Sequence, residues 1–126
     1  MNPASLGAWG EARAREHLLA QGYTLLASNW RCPEGELDLV AEIEAMLVFV
    51  EVKTRRSTAF GRPEEAVSAA KARHLVQAAL SYLEASQLAD RDWRIDVIAI
   101  TAARGPRLAQ LEHFVDAVRA ERAERA

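Results

Sequence analysis

The sequence predicts an α/β fold, a mixed sheet flanked by helices. Three features predict it. Residues Glu36 to Ile43 alternate strictly, with Leu37, Leu39, Ala41 and Ile43 on one side and Glu36, Asp38, Val40 and Glu42 on the other. Residues 46–53 (MLVFVEVK) and 94–101 are nearly unbroken β-branched and aromatic runs, the pattern of strands covered on both faces. Two further stretches carry apolar residues at helical period.

The first of these, AWGEARAREHLLAQ at 8–21, sets Ala8, Ala12, Leu18 and Leu19 among charged positions, and Gly22 follows where a helix would stop. Tyr23 to Trp30 has no helical stripe and reads as a strand, closed by the turn-like Cys32-Pro33-Glu34-Gly35. The strands at 36–43 and 46–53 come next, the second ending abruptly in charge. Thr54 to Pro63, with Gly61, Pro63, Ser and Thr, reads as a loop. A long helix then starts between Glu64 and Ser68 and runs to about Ala85, its wide stripe formed by Leu75, Ala79 and Tyr82 with Val76, Leu80 and Leu83. Arg94 to Thr101 is a strand with Ile95, Val97 and Ala99 on one face and Ile98 and Ile100 on the other. Gly105-Pro106 breaks the chain before LEHFVDAV, expected to be a short C-terminal helix, and a charged tail expected to fray. The order is αβββαβα, with one domain over 1–118 and the tail at 119–126.

Composition limits the function classes. A chain of 126 residues, half apolar and 27% charged, is an ordinary single globular domain. Its longest apolar run, Met46 to Val50, is too short to span a bilayer, and the N-terminus has no signal-peptide pattern. Cys32 stands alone and His17, His74 and His113 are scattered, which leaves neither an intrachain disulfide nor zinc-type spacing. A cytoplasmic protein is expected, with no membrane partner. A net charge of −2 excludes one that coats nucleic acid through excess Lys and Arg, so any DNA contact must come from a local patch.

The candidate chemistry lies at the charged end of the 46–53 strand. If the chain turns tightly at Glu44-Ala45, Ile43 lies opposite Met46, Ala41 opposite Val48, Leu39 opposite Val50 and Leu37 opposite Val52, one wholly apolar face, and a register shifted by two keeps every side chain on the same face. Val40 then meets Phe49 and Asp38 meets Glu51 on the other face. Residues two apart share a face, so Lys53 projects beside Glu51. Two neighbouring carboxylates repel unless a cation lies between them. Mg²⁺ suits such a pair, with the Val52 carbonyl as a third ligand, and Mn²⁺ is an alternative. A phosphate ester is then the expected substrate, with Lys53 orienting water or neutralising developing charge. The same triplet also occurs as an ordinary surface ion pair.

Several blocks carry a wider resemblance: GELDLVA at 35–41, LVFVEVKTR at 47–55, FGRPEEAV at 60–67 with Lys71, RIDVIAI at 94–100, the opening G-x-x-G-E-x-x-A from Gly7 to Ala14, and GYTLLASNWR. In the same order they resemble the YraN-type proteins, which are similar to archaeal Holliday junction resolvases and belong to the PD-(D/E)xK, restriction-endonuclease-like superfamily with an αβββαβ core. The resemblance implies a metal-dependent DNA endonuclease in which Asp38 is the motif's Asp, Glu51 and Lys53 its D/E-x-K, and Glu11 a first-helix carboxylate that assists the metal. Leu37 stands where the motif has Pro. The implied substrate is branched or otherwise structured DNA, and resolution by paired cuts implies a homodimer.

Arg55, Arg56 and Arg62, with Lys71 and Arg73 near the second helix start, form the expected phosphate-binding patch; the alternative is a solvated loop. Glu36 shares a face with Asp38 as a neighbouring acceptor or an exposed acid. Asp96 lines the site or, in the favoured reading, bonds the neighbouring backbone. Trp9, Trp30 and Trp93 are expected in the core rather than as base-stacking platforms. The competing function is a noncatalytic DNA-binding or partner-recruiting module that retains the fold.

Overall fold

A computed structural model describes residues 3–56, 67–103 and 107–119. Its elements are α1 (Pro3–Ala20), β1 (Thr24–Cys32), β2 (Gly35–Ile43), β3 (Met46–Arg55), α2 (Ala69–Ala85), β4 (Trp93–Ala102) and β5 (Leu108–Val118). The five strands form one sheet in chain order. Neighbours run antiparallel except β3 and β4, which are parallel and are connected through α2.

Local chemistry ends each helix. Gly22 takes φ +91° after α1, and the N–H groups of Gly22 and Tyr23 return to the carbonyls of Leu19 (3.1 Å) and Leu18 (2.9 Å), closing the orphan carbonyls of the last turn. Ser68 caps α2 by accepting from the Lys71 N–H at 3.1 Å. The β2–β3 connection is the tight Glu44-Ala45 turn, with Glu44 at φ 55°. Ile43↔Met46, Ala41↔Val48, Val40↔Phe49 and Leu39↔Val50 pair in the register expected from the apolar pattern.

The sheet separates two cores. Val40, Leu47, Phe49, Ile95 and Val97 face α2 and pack on Leu75, Ala79, Tyr82 and Leu83. Leu39, Ala41, Val48, Val50, Ile98 and Ile100 face α1 and pack on Ala14 and Leu18. Trp30 and Trp93 pack, partly buried, against the α2-side core and Trp9 against the α1-side core. Asp96, fully buried, accepts from the Asp116 N–H (2.8 Å) and from Arg94 Nε (3.0 Å), and its Oδ2 pairs with His113 Nε2 at 2.8 Å. This is the structural role favoured for it, fastening β5 to β4.

Two expectations are corrected. LEHFVDAV is not a helix but most of β5, so the order is αβββαββ. Leu111, Phe114, Val115 and Val118 do fall at helical spacing, yet Leu111 packs on the α1 core while Phe114 and Val118 join the α2 core. Contacts with both layers need a strand, and pairing it to β4 covers an edge that would otherwise be open. A register shift between Ile95 and Val97, beside Asp116 at φ 54°, accommodates the irregular spacing.

The second correction concerns Leu37. It lies in the α2 core, whereas Leu39 and Ala41 lie in the α1 core, so the alternation of β2 breaks at Asp38 and Leu37 does not oppose Val52. The β2–β3 ladder stops at Leu39↔Val50, while β2 stays paired with β1 out to Cys32↔Gly35. The two strands therefore part at Asp38 and leave a fork in the sheet. The expected 54–63 loop begins later, since Thr54 and Arg55 end β3; its residues 57–63 and the charged tail beyond Arg119 lie outside the described residues.

Candidate active site

Asp38 fills this fork. Parting strands would strip the Val52 N–H of its ladder partner, and that N–H donates instead to Asp38 Oδ2 at 2.8 Å. The Asp38 carboxyl also hydrogen-bonds that of Glu51, a residue only 3% exposed. Burial, then the hydrogen bond and charge of Glu51, push the Asp38 pKa up to about 7, against the opposing pull of the Val52 N–H and the Lys71 charge. Asp38 therefore keeps its proton up to about neutrality beside the buried Glu51.

Two ammonium groups face the pair. Lys71 Nζ stands 3.1 Å from Glu51 Oε2 and Lys53 Nζ 3.8 Å from the same atom. That oxygen is buried and has no hydrogen bond of proper geometry from either.

The opposite wall comes from α1. Gly10, Ala14 and Leu18 make its buried stripe, and Gly10 lies so close to β3 that a Cβ there would fall 1.9 Å from Thr54 Oγ1. This approach brings Glu11 beside Asp38. Burial raises the Glu11 pKa, as do the charges of Asp38 and Glu36, while Arg15 and Asn29 lower it. With its amide turned to donate, Asn29 bridges Glu11 Oε1 (3.0 Å) and Glu36 Oε1 (3.2 Å). Gly7, Glu11, Asp38, Val52, Lys53 and Thr54 line an open cleft of about 330 Å³.

The structure therefore brings together Glu11, Asp38, Glu51, Val52 and Lys53, and adds Lys71, which was expected only in the phosphate-binding patch. Arg56 and Arg73 are exposed and Arg55 is half-buried; Arg62 lies outside the described residues. Sequence reasoning missed Asn29, whose one signal, a turn-prone residue inside a strand pattern, is visible as φ 53°. It also missed the Gly10–Thr54 contact.

Fold and site define an α/β protein of the αβββαβ kind with paired acids and paired lysines in a fork of its sheet. The model of the uncharacterised protein family UPF0102 matches residues 10–100, and the chain belongs to that family. Among its relatives is a UPF0102 protein of Herpetosiphon aurantiacus, 46% identical over 87% of this chain and 90% of its own length. Another, from Syntrophotalea carbinolica, is 50% identical over 87% and 88%. A third, from Beutenbergia cavernae, is 47% identical over 87% and 92%.

Proposed function

We propose that the protein is a divalent-metal-dependent endonuclease that hydrolyses phosphodiester bonds in DNA, with branched or structured DNA as substrate. The observation that carries this reading is the placement of the Asp38 and Glu51 carboxyls against each other in the fork, where a divalent cation can offset the repulsion between them.

The donor set fits Mg²⁺ or Mn²⁺. Among the described residues no group of three or more His, Cys, Asp or Glu side chains converges as a cage. Mg²⁺ is commonly held by one or two carboxylates plus water and phosphate, which Asp38 and Glu51 suit. A strand residue's C=O points to the same side as its N–H, which here donates to Asp38, so the Val52 carbonyl would serve as the third ligand. When bound, the ion supplies charge neutralisation at the phosphate and a more acidic water. Lys53, lining the cleft, orients the attacking water or meets the charge that develops on phosphorus-bound oxygen. Glu11 supports Asp38 from α1, and the exposed Arg56 and Arg73, with Arg55 and Arg62, contact phosphates outside the reacting centre. Paired cuts in a symmetric junction call for two copies of this site, hence a homodimer.

The test is incubation of the purified protein with linear, flap and four-way DNA in Mg²⁺ or Mn²⁺, beside Asp38→Ala, Glu51→Ala and Lys53→Ala. Metal-dependent cleavage lost in all three variants supports the reading. DNA binding without cleavage in either metal hands it to the noncatalytic module.

A further inference from the structure

The cation nearest Glu51 comes from another layer of the fold. Lys53, two residues along the same strand, stays 3.8 Å from Glu51 Oε2, whereas Lys71 reaches it from α2 at 3.1 Å. Lys71 is held in the first turn of α2, its N–H bonded to the cap Ser68. A positive side chain there lies at the end of the helix where the macrodipole disfavours it, so its placement needs a compensating partner. Glu51 is that partner. Its carboxylate, nearly all removed from solvent, would otherwise be an expensive buried charge.

We propose that Lys71 is the resident counterion of the site: its ammonium holds Glu51 Oε2 while no divalent cation is bound and is displaced when one arrives. The inference rests on the metal site argued above and adds a competitor to it. The Lys71 side chain is 37% exposed, which leaves its flexible stem free to swing toward solvent. A divalent ion between Asp38 and Glu51 repels an ammonium so close to one of its ligands. Lys71 therefore keeps the metal-free pair from repelling itself apart and weakens the cation's hold by the strength of one ion pair.

Calorimetric titration of Mn²⁺ and of Mg²⁺ into the full chain tests this, for wild type, Lys71→Met, Lys71→Arg and Lys53→Met at one pH and ionic strength. Lys71→Met is expected to bind the ion on the order of tenfold more tightly, the size of one charge-assisted contact, with Lys71→Arg near wild type and Lys53→Met changed less. Should Lys71→Met not stay folded at the assay temperature, Lys71→Gln replaces it. If wild type binds the ion and the neutral Lys71 variant binds it equally or more weakly, the inference fails while the metal site stands. If neither binds it, both fail.

Discussion

Gly10 of α1 and Thr54 of β3 meet so closely that no side chain fits at position 10: an added Cβ would lie 1.9 Å from Thr54 Oγ1 and 2.8 Å from its Cβ and Cγ2. The contact sets how near α1 lies to the sheet, and so how far Glu11 reaches toward Asp38. Gly10→Ala should therefore cost about 1 to 3 kcal/mol of stability, as overpacking does, in spite of alanine's better helix propensity. Urea unfolding measures it. Adding Thr54→Ala, which removes two of the three clashing atoms, should return part of the loss; no return would place the strain elsewhere.

The Asp38–Glu51 pair makes stability depend on pH. Folded Asp38 keeps its proton up to about pH 7, whereas an ordinary aspartate loses it near 3.8. Between those values the folded state binds more protons than the unfolded one, so stability falls as pH rises. The full effect is at most about 4 kcal/mol, at about 1.36 kcal/mol per pH unit. Thermal melts from pH 4 to 8 should decline for wild type and flatten for Asp38→Asn. Mg²⁺ should raise the melting temperature most at pH 8, where Asp38 has lost its proton.

Asp96 predicts the opposite slope. Burial pushes its carboxyl up, but the bonds from His113, the Asp116 N–H and Arg94 outweigh that and hold it below the ordinary aspartate value. Its contribution is full above the unfolded value and disappears as pH falls through the lower folded one. Asp96→Asn should cost about 3 kcal/mol, since Arg94 and His113 lose a buried charged partner. Metal affinity, read by the same calorimetry as for Lys71, should not change, because Asp96 does not line the cleft.

The Glu44 turn offers a stabilising change. Glu44 holds φ 55°, a conformation that glycine adopts without strain. Glu44→Gly is expected to raise stability by about 0.5 to 1 kcal/mol, checked by the urea midpoint. A lower midpoint would mean that the Glu44 side chain contributes more than the backbone costs.

The part of the site carried by β2 and β3 was legible in the residues. Strict alternation in β2 and the apolar run of β3 fix which residues share a face, and the tight Glu44-Ala45 turn then brings Asp38 to Glu51 with Lys53 two residues on. The break at Asp38 was not legible. Leu37 and Leu39 are the same residue type two apart, and only the parting of β2 from β3 puts one against α2 and the other against α1. Lys71 was similarly ambiguous, since a lysine in the first turn of a helix reads as surface charge until the helix is docked on the strand that holds its partner.

The sequence by itself determined, to within a few residues at their ends, which segments are strands and helices up to Ala102, the helix stop at Gly22, and the acidic and basic groups of β2 and β3, because periodicity is local and records burial along each segment. The tertiary structure decided that β5 is a strand, that the sheet forks at Asp38, and that α1 and α2 each deliver a charged group to that fork. Those outcomes depend on which neighbour covers which face and edge, a competition between distant segments that no local pattern encodes.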